Sequence, residues 1–77
     1  MKLQEAVRLR ILELCQNRKT TVGRLCVVCG ITPSTLHNIT SGRNRSTTLA
    51  TIQRLCVGLD ISLPAFFDSE NFDNLEL

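Results

Sequence analysis

The stretch "LCVVCGITPSTLHN", residues 25–38, decides between two organisations of this chain. Its first half places Cys26 and Cys29 at the C-x-x-C spacing of zinc sites and redox-active thiols. Its second half carries the signals of one helix that ends and another that begins. Gly30 tolerates the left-handed backbone just after a helix, and Thr32-Pro33 is a strong helix start. The stretch is therefore either a cysteine site or a turn that orients a helix.

The distribution of the cysteines favours the turn. Only one C-x-x-C pair occurs, and it falls inside a helical pattern. Cys15, Cys26 and Cys56 fall on apolar helix faces, where cysteine commonly packs as a small hydrophobic residue. A zinc site of four thiolates and a thiol redox switch that uses Cys29 remain alternatives. We predict no metal and no cofactor.

Composition limits the functions that remain. A chain of 77 residues forms one small domain with room for one core, and little for a deep catalytic cleft. The N-terminal "MKLQEAVRLR" has no apolar signal region, and no apolar run reaches the roughly 20 residues of a membrane span, so we predict a cytoplasmic protein. His37 is the only histidine and has no matched nucleophile and carboxylate in sequence, so we predict no enzyme.

Charge divides the chain into two parts. All nine Lys and Arg residues lie in residues 1–59 with only Glu5 and Glu13, a net charge of +7. Residues 60–77 carry five acidic residues and no basic one, a net charge of −5. A cationic body of this kind indicates a polyanionic partner, although an ordinary solvated surface is the alternative.

Apolar spacing predicts an all-α domain of five short helices. The helices are expected at residues 3–17, 22–29, 33–40 and 48–59, with a last turn or two at residues 63–69. Thr20 or Thr21 is expected to cap the second helix, and Leu3 and Leu49 are expected to point inward. We assign residues 1–68 to the domain and residues 69–77 to an acidic C-terminal tail that frays or pairs with another chain.

The third helix has an unusual outer face. With Leu36 and Ile39 turned to the core, its outer side presents short polar groups and no charge. Such side chains can form hydrogen bonds with base edges in the major groove of DNA. The alternative is an ordinary polar surface helix with no role in DNA binding. The predicted base-reading residues are Ser34, Thr35, His37 and Asn38.

Cationic and small polar residues flank that helix on both sides in sequence. They fit the phosphate contacts that supply affinity and fix register on DNA. The predicted phosphate-binding residues are Arg18, Lys19, Thr21, Arg24, Arg43, Asn44 and Arg45.

Residues 21–67 resemble the Cro/phage-repressor (Xre-type) helix-turn-helix family. In "LCVVCGITPSTLHNITSG", Gly30 corresponds to the turn glycine and residues 31–32 enter the family's recognition helix. The resemblance implies a lambda-repressor-like fold that binds double-stranded DNA, usually as a homodimer on near-palindromic sites. The chain departs from the family at Val22, Pro33 and Thr40, where longer polar side chains are usual.

The sequence therefore predicts a sequence-specific DNA-binding transcriptional regulator, expected to be a repressor, that reads the major groove of DNA with residues 33–40. The alternative is an antitoxin-like or other protein-interaction module of the same fold. In that case the C-terminal segment would bind a protein partner.

Overall fold

The computed structural model describes residues 1–43 and 46–77, and within them it has five α-helices and one 3₁₀ turn. The helices are α1 (Leu3–Asn17), α2 (Val22–Cys29), α3 (Pro33–Thr40), α4 (Leu49–Leu59) and α5 (Leu63–Phe67), and the 3₁₀ turn is Glu70–Phe72. No helix of the described part is long and apolar enough to cross a membrane. The predicted all-α fold with five helices is confirmed.

Four of the five helices begin at a side-chain hydroxyl. Thr21, Thr32, Thr48 and Ser62 each accept the backbone N–H of the residue three positions later. For α2 the distance from Arg24 N to Thr21 Oγ1 is 3.2 Å, so Thr21 rather than Thr20 is the cap. Each such cap typically contributes about 1 kcal/mol, which fixes where these short helices start.

Left-handed residues end α2 and α4. Gly30 has a φ of 66° and its N–H donates to the Cys26 carbonyl, as predicted for a glycine that terminates α2. The helix α4 ends at Leu59 and is followed by Asp60, which has a φ of 56°. Aspartate tolerates this conformation better than most residues, because its short side chain bonds locally.

The core is aliphatic and is closed by one aromatic cluster. Ile11, Leu36, Leu55 and Phe66 are fully buried and bring α1, α3, α4 and α5 together. Phe66 packs edge-on against Phe67, with ring centroids 5.1 Å apart, and Phe72 completes the cluster.

Two side chains expected in the core are exposed. Leu3 is 53% exposed and Leu49 is 69% exposed. Each is the first residue of its helix, and helical side chains lean toward the helix N-terminus. Their side chains therefore project beyond the turn that packs on the core, a detail that spacing along the chain does not reveal.

The C-terminal segment folds back on the start of the chain. The Glu76 N–H donates to the Met1 carbonyl at 2.8 Å, and the Lys2 ammonium donates to the Leu77 carbonyl at 3.0 Å. Phe72 packs against the core. The segment is thus held by its own chain rather than frayed, and the division of the chain at residue 68 stays a prediction.

Candidate nucleic-acid interface

The helices α2 and α3 form a compact unit joined by residues 30–32. Leu36 and Ile39 are 0% and 1% exposed, so α3 is fixed to the core along one face. Thr32 caps α3, and Pro33 begins it where its missing N–H costs no hydrogen bond. These residues set both the start and the rotation of α3, and they determine which side chains face outward.

The outer face of α3 is polar and accessible, as the sequence predicts. Ser34, Thr35 and His37 are exposed, and Asn38 is half-buried. The Thr32 hydroxyl donates to Thr35 Oγ1 at 2.7 Å, which leaves the Thr35 hydroxyl proton free to donate elsewhere. This face offers donors and acceptors of short reach to a partner that approaches closely.

Exposed cations lie at both ends of the α2–α3 unit. Arg18 and Lys19 connect α1 to α2, and Arg24 lies in the first turn of α2. Arg43 follows α3, and its backbone N–H donates to the Asn38 carbonyl at 3.1 Å, which ties it to the last turn of α3. Thr21 is exposed, although its oxygen already accepts from the Arg24 N–H. The remaining two predicted phosphate contacts, Asn44 and Arg45, lie outside the described residues.

The part of the sequence that forms α2, α3 and α4 contains no acidic residue. Residues 14–59 contain no Asp or Glu. Among the residues described, the ion pairs are Arg8 with Glu5, Arg10 with Glu13, and the N-terminal amine with Glu76, all outside that range. Hydrogen bonding to Arg8 lowers the pKa of the Glu5 carboxyl, against a smaller opposing effect of desolvation. The cations beside α3 therefore meet no carboxylate within residues 14–59, and an external anion can bind them.

All four cysteines are buried in the core cluster with free thiols. Burial raises the pKa of Cys15, Cys29 and Cys56, with a smaller contribution from Cys26 at Cys15 and Cys29. Cys29 Sγ lies 3.7 Å from the Leu55 carbonyl oxygen, inside the contact of α2 with α4. Over the described ranges, no group of three or more potential metal ligands is arranged for a metal ion. Cys26 and Cys29 thus help to pack α2 into the core, and the turn at Gly30 follows this helix.

Two arginines have positions that the sequence did not reveal. The guanidinium of Arg10 in α1 donates to the Phe66 carbonyl at 2.7 Å and the Ala65 carbonyl at 2.9 Å. Arg54 is exposed on α4, and its Nη1 donates to the Gly30 carbonyl at 3.2 Å. Both acceptors are carbonyls of distant segments, so helical spacing alone gives no signal for either contact.

Two short helices joined by a tight turn, the second with a polar outer face and cations around it, define a helix-turn-helix DNA-binding domain. Residues 10–65 match the family model of the Cro/C1-type HTH DNA-binding domain. The chain belongs to this family, and the resemblance seen in the sequence is confirmed.

One solved structure extends the comparison to nearly the whole chain. The crystal structure of the prophage Lp1 protein 11 superposes with a TM-score of 0.83 at 30% sequence identity. The match covers 97% of this chain and 100% of that one, so it extends into the start of α1 and the C-terminal segment, which lie outside the family model. A comparison with curated proteins gives no match.

Proposed function

We propose that this protein is a sequence-specific transcriptional regulator, a repressor, that inserts α3 into the major groove of DNA. The observation that carries the proposal is the outer face of α3, which is polar, uncharged and held rigidly by Leu36 and Ile39 beneath it. The family and the cations beside α3 support double-stranded DNA as the partner.

Base recognition falls on four short side chains of α3. Asn38 has the donor and acceptor pair that binds adenine in bidentate fashion, and Ser34 and Thr35 bond either kind of base partner. His37 can donate from a ring N–H to guanine N7 or O6, or to a phosphate oxygen. Because these side chains are short, α3 must lie deep in the groove, with Pro33 close to the bases.

Phosphate binding falls on the two ends of the α2–α3 unit. At one end are Arg18, Lys19, Thr21 and Arg24, and at the other are Arg43, Asn44 and Arg45. Val22 supplies no polar side chain at the start of α2, so the arginines and backbone N–H groups carry more of the affinity.

We further propose that the protein acts as a homodimer. A two-fold pair of such domains binds half-sites roughly 34 Å apart, one helical turn of DNA. Phe66 is fully buried and Phe72 packs on the core of its own chain, whereas Leu75 and Leu77 are exposed and available for an interface. Sedimentation velocity with and without DNA measures the stoichiometry, and one protein per operator at every concentration would contradict the dimer.

A protein partner at the C-terminal segment stays a secondary proposal. Asp68, Glu70 and Asp73 are exposed there and form an acidic edge together with Glu13 of α1. A basic partner could bind this edge while α3 stays on DNA, so the two functions are compatible.

The test begins with selection of bound duplexes from a random pool, followed by two variants on the selected site. Asn38→Ala should lower the preference for one base position by about 1–3 kcal/mol and leave binding to unselected DNA unchanged. Arg43→Ala should weaken binding to all duplexes similarly and reduce the slope of log K against log salt by about one.

The two variants serve as controls for each other, because one removes a base contact and the other a phosphate contact. If both bound every duplex like the parent protein, the assignment of α3 as the recognition helix would be wrong. Loss of binding with a loss of helical circular dichroism would instead report unfolding, so each variant is first shown to be folded.

A further inference from the structure

A small open cleft lies between the first turn of α3 and the middle of α4. Its volume is about 220 Å³, and it is lined by Gly30, Ile31, Thr32, Thr35, Thr51 and Arg54. The lining combines one guanidinium with three hydroxyl side chains and has no carboxylate. The phosphate-binding residues predicted from the sequence did not include Arg54 or Thr51.

We propose that this cleft binds a phosphate of the DNA backbone, with Arg54 as the principal contact. The inference rests on the proposed function and extends its interface from α2 and the segment after α3 to α4. It gives the protein a phosphate contact that is independent of the two predicted clusters.

The hydrogen bond that Arg54 makes to Gly30 orients its side chain and leaves its other N–H donors available. Its Nη1 donates to the Gly30 carbonyl at 3.2 Å, and the side chain is exposed. A guanidinium carries more N–H donors than this one bond uses, and its fork matches phosphate oxygens. The Gly30 carbonyl therefore holds the side chain in place at the cleft and reduces the conformational entropy lost when an anion binds.

The hydroxyl groups of the cleft add further donors. Thr35 Oγ1 accepts from the Thr32 hydroxyl at 2.7 Å, so its one proton can donate either to an anion in the cleft or to a base, but not to both at once. Thr51 lines the cleft from α4 and shares a 3.0 Å hydrogen bond with Thr48. The absence of Asp and Glu from residues 14–59 leaves no competing carboxylate on α2, α3 or α4.

The position of Thr35 indicates DNA rather than a free anion. Thr35 lines the cleft and also flanks the outer face of α3 that is proposed to read bases. An anion bound in the cleft is thus next to the groove that α3 enters, where the nearest phosphates belong to the DNA backbone. Free inorganic phosphate offers the same oxygen acceptors, so the experiment must distinguish it from a phosphate of the DNA backbone as the ligand of the cleft.

The experiment compares Arg54→Gln with Lys2→Gln on one selected duplex, at a series of salt concentrations. Lys2 is exposed and bonded to the C-terminal carbonyl, so its substitution removes the same charge away from the cleft. Arg54→Gln should weaken binding roughly three- to tenfold and reduce the salt slope by ~0.9, the value for one phosphate. Lys2→Gln should leave the salt slope at the parent value, and Arg54→Lys should restore part of it.

Neutral methylphosphonate linkages then locate the contact. Each phosphate of the duplex is replaced in turn, and the loss of affinity is measured for the parent protein and for Arg54→Gln. One position should weaken the parent protein and have little further effect on Arg54→Gln, because the partner of that phosphate is already missing. Equal effects at every position in the two proteins would overturn the inference.

Three further results show whether the cleft inference fails alone or together with the proposed function. If Arg43→Ala lowers the salt slope and Arg54→Gln does not, the proposed function stands and the cleft inference fails. If inorganic phosphate shifts the NMR resonances of Thr35 and Thr51 while the salt slope of Arg54→Gln equals that of the parent, the cleft binds free anion only and the inference also fails. If the folded parent protein binds no duplex, both proposals fail together.

Discussion

At the scale of single residues, Gly58 lies where α4 closely approaches Cys29 of α2. A methyl group on Gly58 would overlap Cys29 Sγ and lie 3.1 Å from the Cys29 Cα. Backbone cannot move aside as a flexible side chain can, so Gly58→Ala should lower the free energy of unfolding by about 1–3 kcal/mol. Urea denaturation followed by circular dichroism measures the change.

Gly23→Ala is the matched control for that substitution. Gly23 lies in α2, and the nearest atom to an added methyl group there is Thr21 Oγ1 at 3.9 Å. Alanine is a better helix former than glycine, so this variant should raise the free energy of unfolding by up to about 1 kcal/mol. Equal losses in the two variants would mean that the close approach at Gly58 has no special role.

The buried thiols should make the free energy of unfolding depend on pH. Burial raises the pKa of Cys15, Cys29 and Cys56 in the folded protein, so the unfolded chain ionises first as pH rises. Their contribution is complete below the unfolded thiol pKa of about 8.5 and is lost at higher pH. Urea titrations in a non-thiol reductant should give a lower free energy of unfolding at pH 9.5 than at pH 7.5.

Removal of one thiol provides the control for the pH effect. Cys56→Ala should show a smaller decrease between the two pH values, because one fewer buried group titrates. The sequence contains no tyrosine, so no phenol ionises in this range. A decrease of the same size in Cys56→Ala would assign the effect to other groups.

Local sequence rules predicted several residue positions correctly, and tertiary contacts account for the misses. Gly30 and Pro33 act through their own backbone, so a single sequence is enough to predict their places at the ends of α2 and α3. Arg10 and Arg54 instead depend on which segment lies opposite them. Arg10 meets the carbonyls of α5, 55 and 56 positions away, a separation that no helical period encodes.

At the scale of helices, Arg10 holds α5 against α1. Its Nε and Nη2 donate to the Phe66 and Ala65 carbonyls, and Nη1 pairs with Glu13. The last carbonyls of a short helix lack partners within the helix, so Arg10 supplies a donor to the Phe66 carbonyl, and it adds a second donor to the Ala65 carbonyl, which also accepts from the Asp68 N–H at 3.3 Å. The contact keeps Phe66 in the core.

Arg10→Met keeps the length and apolar stem of the side chain but removes these donors. It should lower the free energy of unfolding by about 1.5–3 kcal/mol, the usual range for hydrogen bonds to a charged group. Arg24→Met is the control, because Arg24 is exposed and its guanidinium is proposed to contact DNA rather than the fold. A loss in Arg10→Met no larger than in Arg24→Met would contradict the role of Arg10.

The helix boundaries were the most predictable feature at this scale, because hydroxyl caps and apolar spacing are both local. The 3₁₀ turn Glu70–Phe72 was not predicted. It is too short for a period, and Phe72 is held by its packing against Phe66 and Phe67 rather than by helix propensity.

At the scale of the whole molecule, charge separates two regions. The stretch from residue 14 to residue 59 carries six Lys and Arg residues and no Asp or Glu, and it contains the α2–α3 unit and α4. Five of the seven acidic residues follow residue 59: Asp60 lies directly after α4, and the other four lie in the segment after α5, which packs on α1. The sequence alone predicted this division, but only the fold adds Arg54 to the surface beside α3.

The central claim is that the cationic surface around α3 binds the phosphates of DNA. The most direct test is fluorescence anisotropy of a labelled mixed-sequence duplex, titrated with the protein at several salt concentrations. The account predicts that log K falls linearly with log salt, with a slope of ~0.9 for each phosphate bound. Absence of binding at low salt, with the protein shown folded by circular dichroism, would contradict it.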